Sequence, residues 1–453
     1  MSSAQTSRAA SSYILSPADP AVATVCASLG GAWDGSSKCA LGSDLTLNPG
    51  DSLVIDPNAA LLIQSGITLT NDGAIEDYGT ITTNAGGFLT NSGAMTAFIA
   101  QGSMVNEGSL ANDPGGSISI EHPGQTSVQL GIFNFTNTGT FDNRGAFVSF
   151  GNFTNGAGAS ITNSGTFSFA SATINIGNFS APLATNRGAF ANLYGGNVTV
   201  DGSTFNNTGT ITNLGAITET QHIYSVIENF GTITSNGTIS DTSFIRNNGT
   251  LTNAGTISTL VGCAVAACGS LVNNAILINT PEGTIDNQGN FGNNVNSTFT
   301  NEGIMTNSRV FINNPNGTIV NSGTFVSTGA LSNYASIIND GSISSSGIVL
   351  NSGYISNNSN ATITNERTIT NTGSIDNSGT VTNSCGGVIF GAGTITGNPV
   401  STNTDCKSTT SPVPEFPAVM VVPVLLSILI LISIVYTKGW GRAQTAAERH
   451  QGP

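Results

Sequence analysis

The sequence predicts an all-β protein, a right-handed parallel β-helix (β-solenoid) of about 20 residues per rung, followed by one C-terminal transmembrane helix. Three observations carry that expectation. A seven-residue motif recurs along most of the chain, only 8% of the 453 residues are charged, and one run of nineteen uncharged residues, 418–436, lies near the C-terminus.

The motif is Gly-Thr-Ile-Thr-Asn-x-Gly, whole at 209–215 and varied at 231–237 and 249–255. Its Asn-x-Gly part returns at Asn71/Gly73, Asn91/Gly93, Asn163/Gly165, Asn301/Gly303 and Asn371/Gly373, among others. Steps of six residues link Asn207 to Asn213 and Asn371 to Asn377, and steps of about twenty link Asn71 to Asn91. A short strand with a tight corner fits six residues, and three such sides make one coil. Ile flanked by Thr gives period-two alternation, so the aliphatic side chain points inward and both Thr point outward. Ile81, Ile161, Ile211, Ile233, Ile257, Ile319 and Ile375 are inward candidates. Gly is expected to supply positive φ at the corners, and Asn to tolerate the left-handed region. Stacked corner Asn residues are also expected to form a ladder of side-chain amides. Propeller blades need a motif of about 40–50 residues, and sandwiches need longer strands around a few bulky residues. Two Trp in the chain and six-residue steps argue against both.

The domain plan follows from where the repeat starts and stops. Residues 1–25 lack both the repeat and a charged start followed by an apolar run, and are expected to be a disordered segment. Residues 26–56 form an N-terminal cap, 57–384 the solenoid, 385–406 a C-terminal cap and 407–417 a polar, Pro-bearing stalk. Residues 418–436 cross the membrane and 437–453 form a basic cytoplasmic tail. Six cysteines fall into three sequence-local pairs, Cys26 with Cys39, Cys263 with Cys268, and Cys385 with Cys406. Without a CxxC or a Cys/His cluster, zinc is not expected, and the pairs read as disulfides of an oxidising compartment.

Net charge is −14, and the part before Lys438 holds eight basic and twenty-four acidic groups. Phosphate contacts need clustered Lys and Arg, so no nucleic-acid partner is expected. The 418–436 run is long enough to span about 30 Å of hydrocarbon. Lys438 and Arg442 follow it, which places the C-terminus in the cytoplasm and the solenoid outside the cell membrane, with membrane lipid as a partner.

Pro414, Glu415, Phe416 and Pro417, then an apolar run, then basic residues, resemble the PEF-type C-terminal sorting signal of archaeal surface proteins. The resemblance covers about forty residues and implies a sortase-like processing enzyme as a partner. The seventeen-residue tail is longer than is usual for such signals. In general architecture the rest of the chain resembles repeat-rich surface proteins and β-helical adhesins.

Sites of chemistry are sparse. No nucleophile elbow, P-loop or zinc-protease motif occurs. His122, His222 and His450 stand apart from one another. Asp72, Glu76 and Asp77 form the nearest approach to an acidic cluster and read as a solvated edge, so no catalytic residue, metal or cofactor is expected. Eleven Asn-x-Ser/Thr sequons mark candidate glycosylation sites at Asn134, Asn152, Asn178, Asn197, Asn206, Asn236, Asn248, Asn296, Asn316, Asn357 and Asn360. A chain this rich in Asn, Ser and Thr produces about that number by composition alone. The reading is a non-enzymatic surface rod in weak, repeated contact with glycans or neighbouring surface proteins. A polysaccharide lyase or hydrolase on the same scaffold and a surface-layer component are the alternatives.

Overall fold

The computed structural model describes residues 9–98, 102–121, 134–170, 183–219, 225–260 and 269–403. Four-residue strands pass in turn through three faces. Ser52–Ile55 lies on the first, Ala60–Ile63 on the second, Thr68–Asn71 on the third, and Ala74–Asp77 returns to the first. From Ser52 to Gly397 the chain completes sixteen such turns. Each strand pairs in parallel with its counterpart one turn on, and Thr210, Thr232 and Thr250 stand in one column. The chain is therefore a parallel β-solenoid. From Thr68 on, turn-to-turn steps on the third face run from 18 to 22 residues, and lengthen to between 26 and 31 at three places.

Period-two alternation does what the sequence implies. In Thr210–Asn213 the first and third residues are exposed and the second and fourth are buried. The inward aliphatic candidates are all buried, none more than 5% exposed. Bulkier residues share the interior. Phe135, Phe141, Phe147, Phe153, Phe167 and Phe190 fill neighbouring turns, with Phe135 and Phe153 stacked at 5.1 Å. The even spread of small aliphatics hid this aromatic stretch, because each Phe occupies the same motif position as an Ile.

Both ends differ from expectation. The first 25 residues are not wholly disordered, since Ser12–Leu15 pairs in register with Ser52–Ile55 and Val22–Ser28 is a helix. Leu15, Val22, Cys26 and Leu29 join the apolar core, so apolar contact holds the segment that lacks the repeat. The solenoid also begins inside the expected cap: Lys38–Leu41 already pairs in parallel with Ala60–Ile63. The cap proper is the strand, the helix and an antiparallel hairpin of Gly31–Trp33 with Lys38–Leu41. Asp34 shapes its turn, its carboxylate accepting the N–H groups of Ser36, Ser37 and Lys38, and those bonds hold its pKa below the usual carboxylate range. At the other end, Val388–Phe390, Thr394–Gly397 and Val400–Asn403 form further coil rather than a distinct cap.

Glycine has two separate uses at the corners, and the more frequent one is not the positive φ expected from the sequence. In the four-residue corners a left-handed residue closes the turn, either Gly, as at Gly66 (φ 78°), or Asn, as at Asn316 (φ 62°). In the tight Asn-x-Gly corners the Gly has no positive φ. A Cβ on Gly93 would instead collide with the carbonyl oxygen of Gly73 one turn below. Close backbone approach, not dihedral freedom, demands Gly there.

No helix among the described residues is long and apolar enough to cross a membrane, and 418–436 lies outside the described residues.

Candidate interaction surface and buried polar columns

The fourth residue of most strands is Asn, and its side chain turns inward at the corner, fully buried. The backbone there needs help, because two successive N–H groups of the next corner, such as those of Ser92 and Gly93, both donate to the carbonyl of Asn71. The Asn amide supplies the remaining bonds. Asn91 Nδ2 donates to Asn112 Oδ1 at 2.8 Å and to the backbone carbonyl of Ser117 at 3.1 Å. Repetition turns this into a ladder. On the second face an unbroken column runs from Asn106 to Asn371, with amide-to-amide bonds of 2.6–2.9 Å. On the third face one column runs from Asn71 to Asn213 and a second from Asn253 to Asn377, with Ser235 interrupting between them.

Every bond in these columns points the same way, from nitrogen to the oxygen of the following turn. The first Asn of a column then has an oxygen with no donor below it. Asn71, Asn106 and Asn253 each carry such an unpartnered buried oxygen. The ladder thus explains its own exceptions, and an aligned chain of amide dipoles is mutually strengthening. The sequence-based expectation of an amide ladder holds, but its residues sit in strand conformation; the left-handed Asn residues are others.

The first face is different. From Ala74–Asp77 on, its fourth positions carry Asp77, Ala97, Ile120, Ser149, Phe169, Val200, Glu219, Asp241 and Thr259 before the amide column starts at Asn287. The five intervals outside the described residues, 99–101, 122–133, 171–182, 220–224 and 261–268, all connect a first-face strand to a second-face strand. The Asn column on this face begins only beyond the last of them.

Two buried acid sites lie along this column. Asp77 accepts the N–H of Gly79 at 2.9 Å, while its other oxygen has no partner. Burial pushes its pKa up to about 7, so it is not the solvated edge expected from the sequence. Glu219 and Asp241 stand one turn apart. Glu219 accepts from the backbone of Ser243 and Phe244, and Asp241 accepts from Ser243. Glu219 Oε1 and Asp241 Oδ2 are left without a donor, the arrangement of two carboxyls sharing one proton. Burial and the neighbouring Asp241 push Glu219 up to about 11, and burial raises Asp241. The clue in the sequence was positional: an acid stands where the motif puts Asn.

The candidate site residues scatter. Cys26 and Cys39 form a disulfide with Cα atoms 5.7 Å apart, and Gly31 is needed beside it because a Cβ would crowd both sulfurs. Cys385 occupies a corner, its N–H donating to the Asn403 carbonyl at 3.3 Å. Cys263, Cys268, Cys406, Asn178 and Pro414–Pro417 lie outside the described residues. Asn134, Asn197, Asn236, Asn296, Asn316 and Asn360 are exposed, and Asn152, Asn206 and Asn248 are half-buried. Asn357 is a correction: it is a fully buried ladder rung bonded to Asn339 and Asn377, so no glycan can reach it. No group of three metal-ligating side chains occurs among the described residues. An apolar gap of about 20 Å³ between Leu331 and Val381 is too small for a ligand.

Comparison with known proteins fits this geometry. The haemagglutinin repeat matches residues 42–145, 106–192, 195–259, 267–333 and 326–398, so the chain belongs to the haemagglutinin-repeat family. No curated protein matches it. Among solved structures it is similar to the TibC-catalysed hyper-glycosylated TibA fragment. The identity is 14%, coverage is 82% of this chain and 92% of that one, and the TM-score is 0.20, too low to support an argument.

Proposed function

We propose that this chain is a non-enzymatic, adhesin-like rod displayed on the cell surface. In this reading residues 418–436 hold it in the membrane with the C-terminus in the cytoplasm, and the solenoid makes weak, multivalent contacts with glycans or neighbouring surface proteins. The observation that carries the proposal is membership of the haemagglutinin-repeat family along the solenoid, from residue 42 to 398. The outward side chains agree with it, being mostly Thr and Ser with few charges.

The lyase or hydrolase alternative needs two carboxylates on adjacent coils facing a groove. Glu219 and Asp241, which stand on adjacent coils, face the interior at 0% exposure instead. Outward acids such as Glu228 and Asp142 are paired with Arg246 and Arg144.

The test is protease shaving of intact native cells, followed by intact mass measurement on the membrane fraction. Loss of the repeat region from intact cells supports display, and the mass shows whether the chain ends near Pro417 or retains its apolar run. Full protection of the solenoid on intact cells, with digestion after lysis, would place the rod inside and end the proposal.

A further inference from the structure

The third face is unlike the other two. Nine successive strands, from Ala189–Asn192 to Tyr354–Asn357, present no charged side chain on it. The second face carries Glu228 and Arg246 over the same turns, and the first carries Asp201 and Asp286. The centre of this face is apolar, with Ile276 46% exposed and Ile278 beside it. Above and below lie ranks of hydroxyls with methyl groups, Thr250 and Thr252 on one side and Thr298 and Thr300 on the other. Glu282, Glu302 and Asp340 stand along one margin, on the corners leading to the first face.

We propose that the third face binds a second copy of this chain, side by side. Charge distribution argues for that occupant. The chain carries a net charge of −14, and between Ala189 and Tyr354 the third face is the one whose strands bring no carboxylate to a contact between two copies, whereas the second brings Glu228, paired with Arg246, and the first brings Asp201 and Asp286. Periodicity argues for it too, since a copy necessarily has the same strand spacing of about 4.8 Å, so that the ranks of Thr and Ile interdigitate along the whole contact. An apolar centre with a polar surround is the anatomy of a protein interface.

Area sets the strength. Nine strands at about 4.8 Å and four residues at about 3.3 Å cover roughly 550 Å² per copy, or about 1,100 Å² in all. That is close to the lower bound of about 1,000 Å² for a specific interface, so a single pair is weak and many copies on one membrane reinforce one another. This deepens the adhesin-like reading by naming one neighbouring surface protein, and it does not depend on glycan contact.

The test uses the full chain, purified and dispersed in a mild detergent. Residue 278 lies at the middle of the face, so it meets its own copy whether the two rods run parallel or antiparallel. With Ile278→Cys, mild oxidation is expected to give disulfide-linked dimers above the background of the unsubstituted chain. Ser258→Cys on the first face is expected to give none. Adding Thr250→Glu and Thr298→Glu is expected to lower the dimer yield about tenfold through like-charge repulsion, while Thr256→Glu with Thr284→Glu leaves it within about twofold. Circular dichroism confirms that each variant keeps its strands. Equal cross-linking from both faces, or none from Ile278→Cys up to about 1 mM protein, overturns the proposal. Cell-surface display is read separately by protease shaving, so either result can fail without the other.

Discussion

Asn247 and Asn248 are neighbours of one residue type that face opposite ways, and replacing each by Ala separates the buried ladder from the surface. Asn247 is fully buried. It accepts from Asn229 at 2.8 Å, and donates to Asn273 Oδ1 at 2.9 Å and to the Ile276 carbonyl at 2.7 Å. Removing the amide loses three bonds, strands a donor on Asn229 and leaves Asn273 Oδ1 with only the 3.4 Å bond from the Ala275 N–H, all away from water. An unsatisfied buried group costs roughly 1–3 kcal/mol, so Asn247→Ala is expected to cost about 4 kcal/mol. The half-buried Asn248 accepts one surface bond from Asn274 at 2.6 Å, and Asn248→Ala is expected to cost about 0.5–1 kcal/mol, because water replaces the lost partner. In a stacked repeat the damage stays local. Hydrogen exchange is therefore the right assay, and about 4 kcal/mol corresponds to a loss of protection near a thousandfold in the turns from Phe244 to Ile276. If the two variants lose protection within about tenfold of each other, the ladder is not what holds the turns together.

Three further expectations follow from the same geometry. Gly237→Ala forces a Cβ into the Gly215 carbonyl and is expected to prevent the turns from closing, giving little soluble protein, whereas Gly35→Ala meets no atom within 4 Å and is expected to cost only its positive-φ strain of about 1 kcal/mol. For Asp77 the folded pKa lies above the unfolded one, so its contribution is complete below about pH 4 and falls as the pH rises to about 7, by about 4 kcal/mol. Urea midpoints across that window are expected to flatten in Asp77→Asn, and a variant that keeps the full slope would assign it to other groups. Glu219→Gln is expected to remove a corresponding loss of stability at still higher pH, since the shared proton then no longer titrates from that side; an unchanged alkaline limb in urea titrations would argue against proton sharing.

Much of this was legible in the residues because the motif repeats. Six-residue steps gave three sides per coil, and Ile between two Thr gave the inward column. What stayed hidden was of two kinds. Asn-x-Gly reads as a turn with positive φ, yet the constraint on Gly93 comes from a backbone twenty residues away, which no local pattern displays. Asp77, Glu219 and Asp241 look like surface acids by type, and only alignment of the turns shows that they occupy Asn positions. The segment around Ser12–Leu15 lacks the motif, and its place follows from apolar contact with the first turn alone.

One uninterrupted stack carries the described chain, and distances along a single column test it. Thr70, Thr212 and Thr300 lie in one outward column of the third face, six and ten turns apart from Thr70. Spin labels at residues 70 and 212, and at 70 and 300, read out by pulsed electron resonance in dilute sample, are expected to sit about 29 Å and about 48 Å apart, at about 4.8 Å per turn. Distances that fail to grow in proportion to the number of turns would contradict the stack.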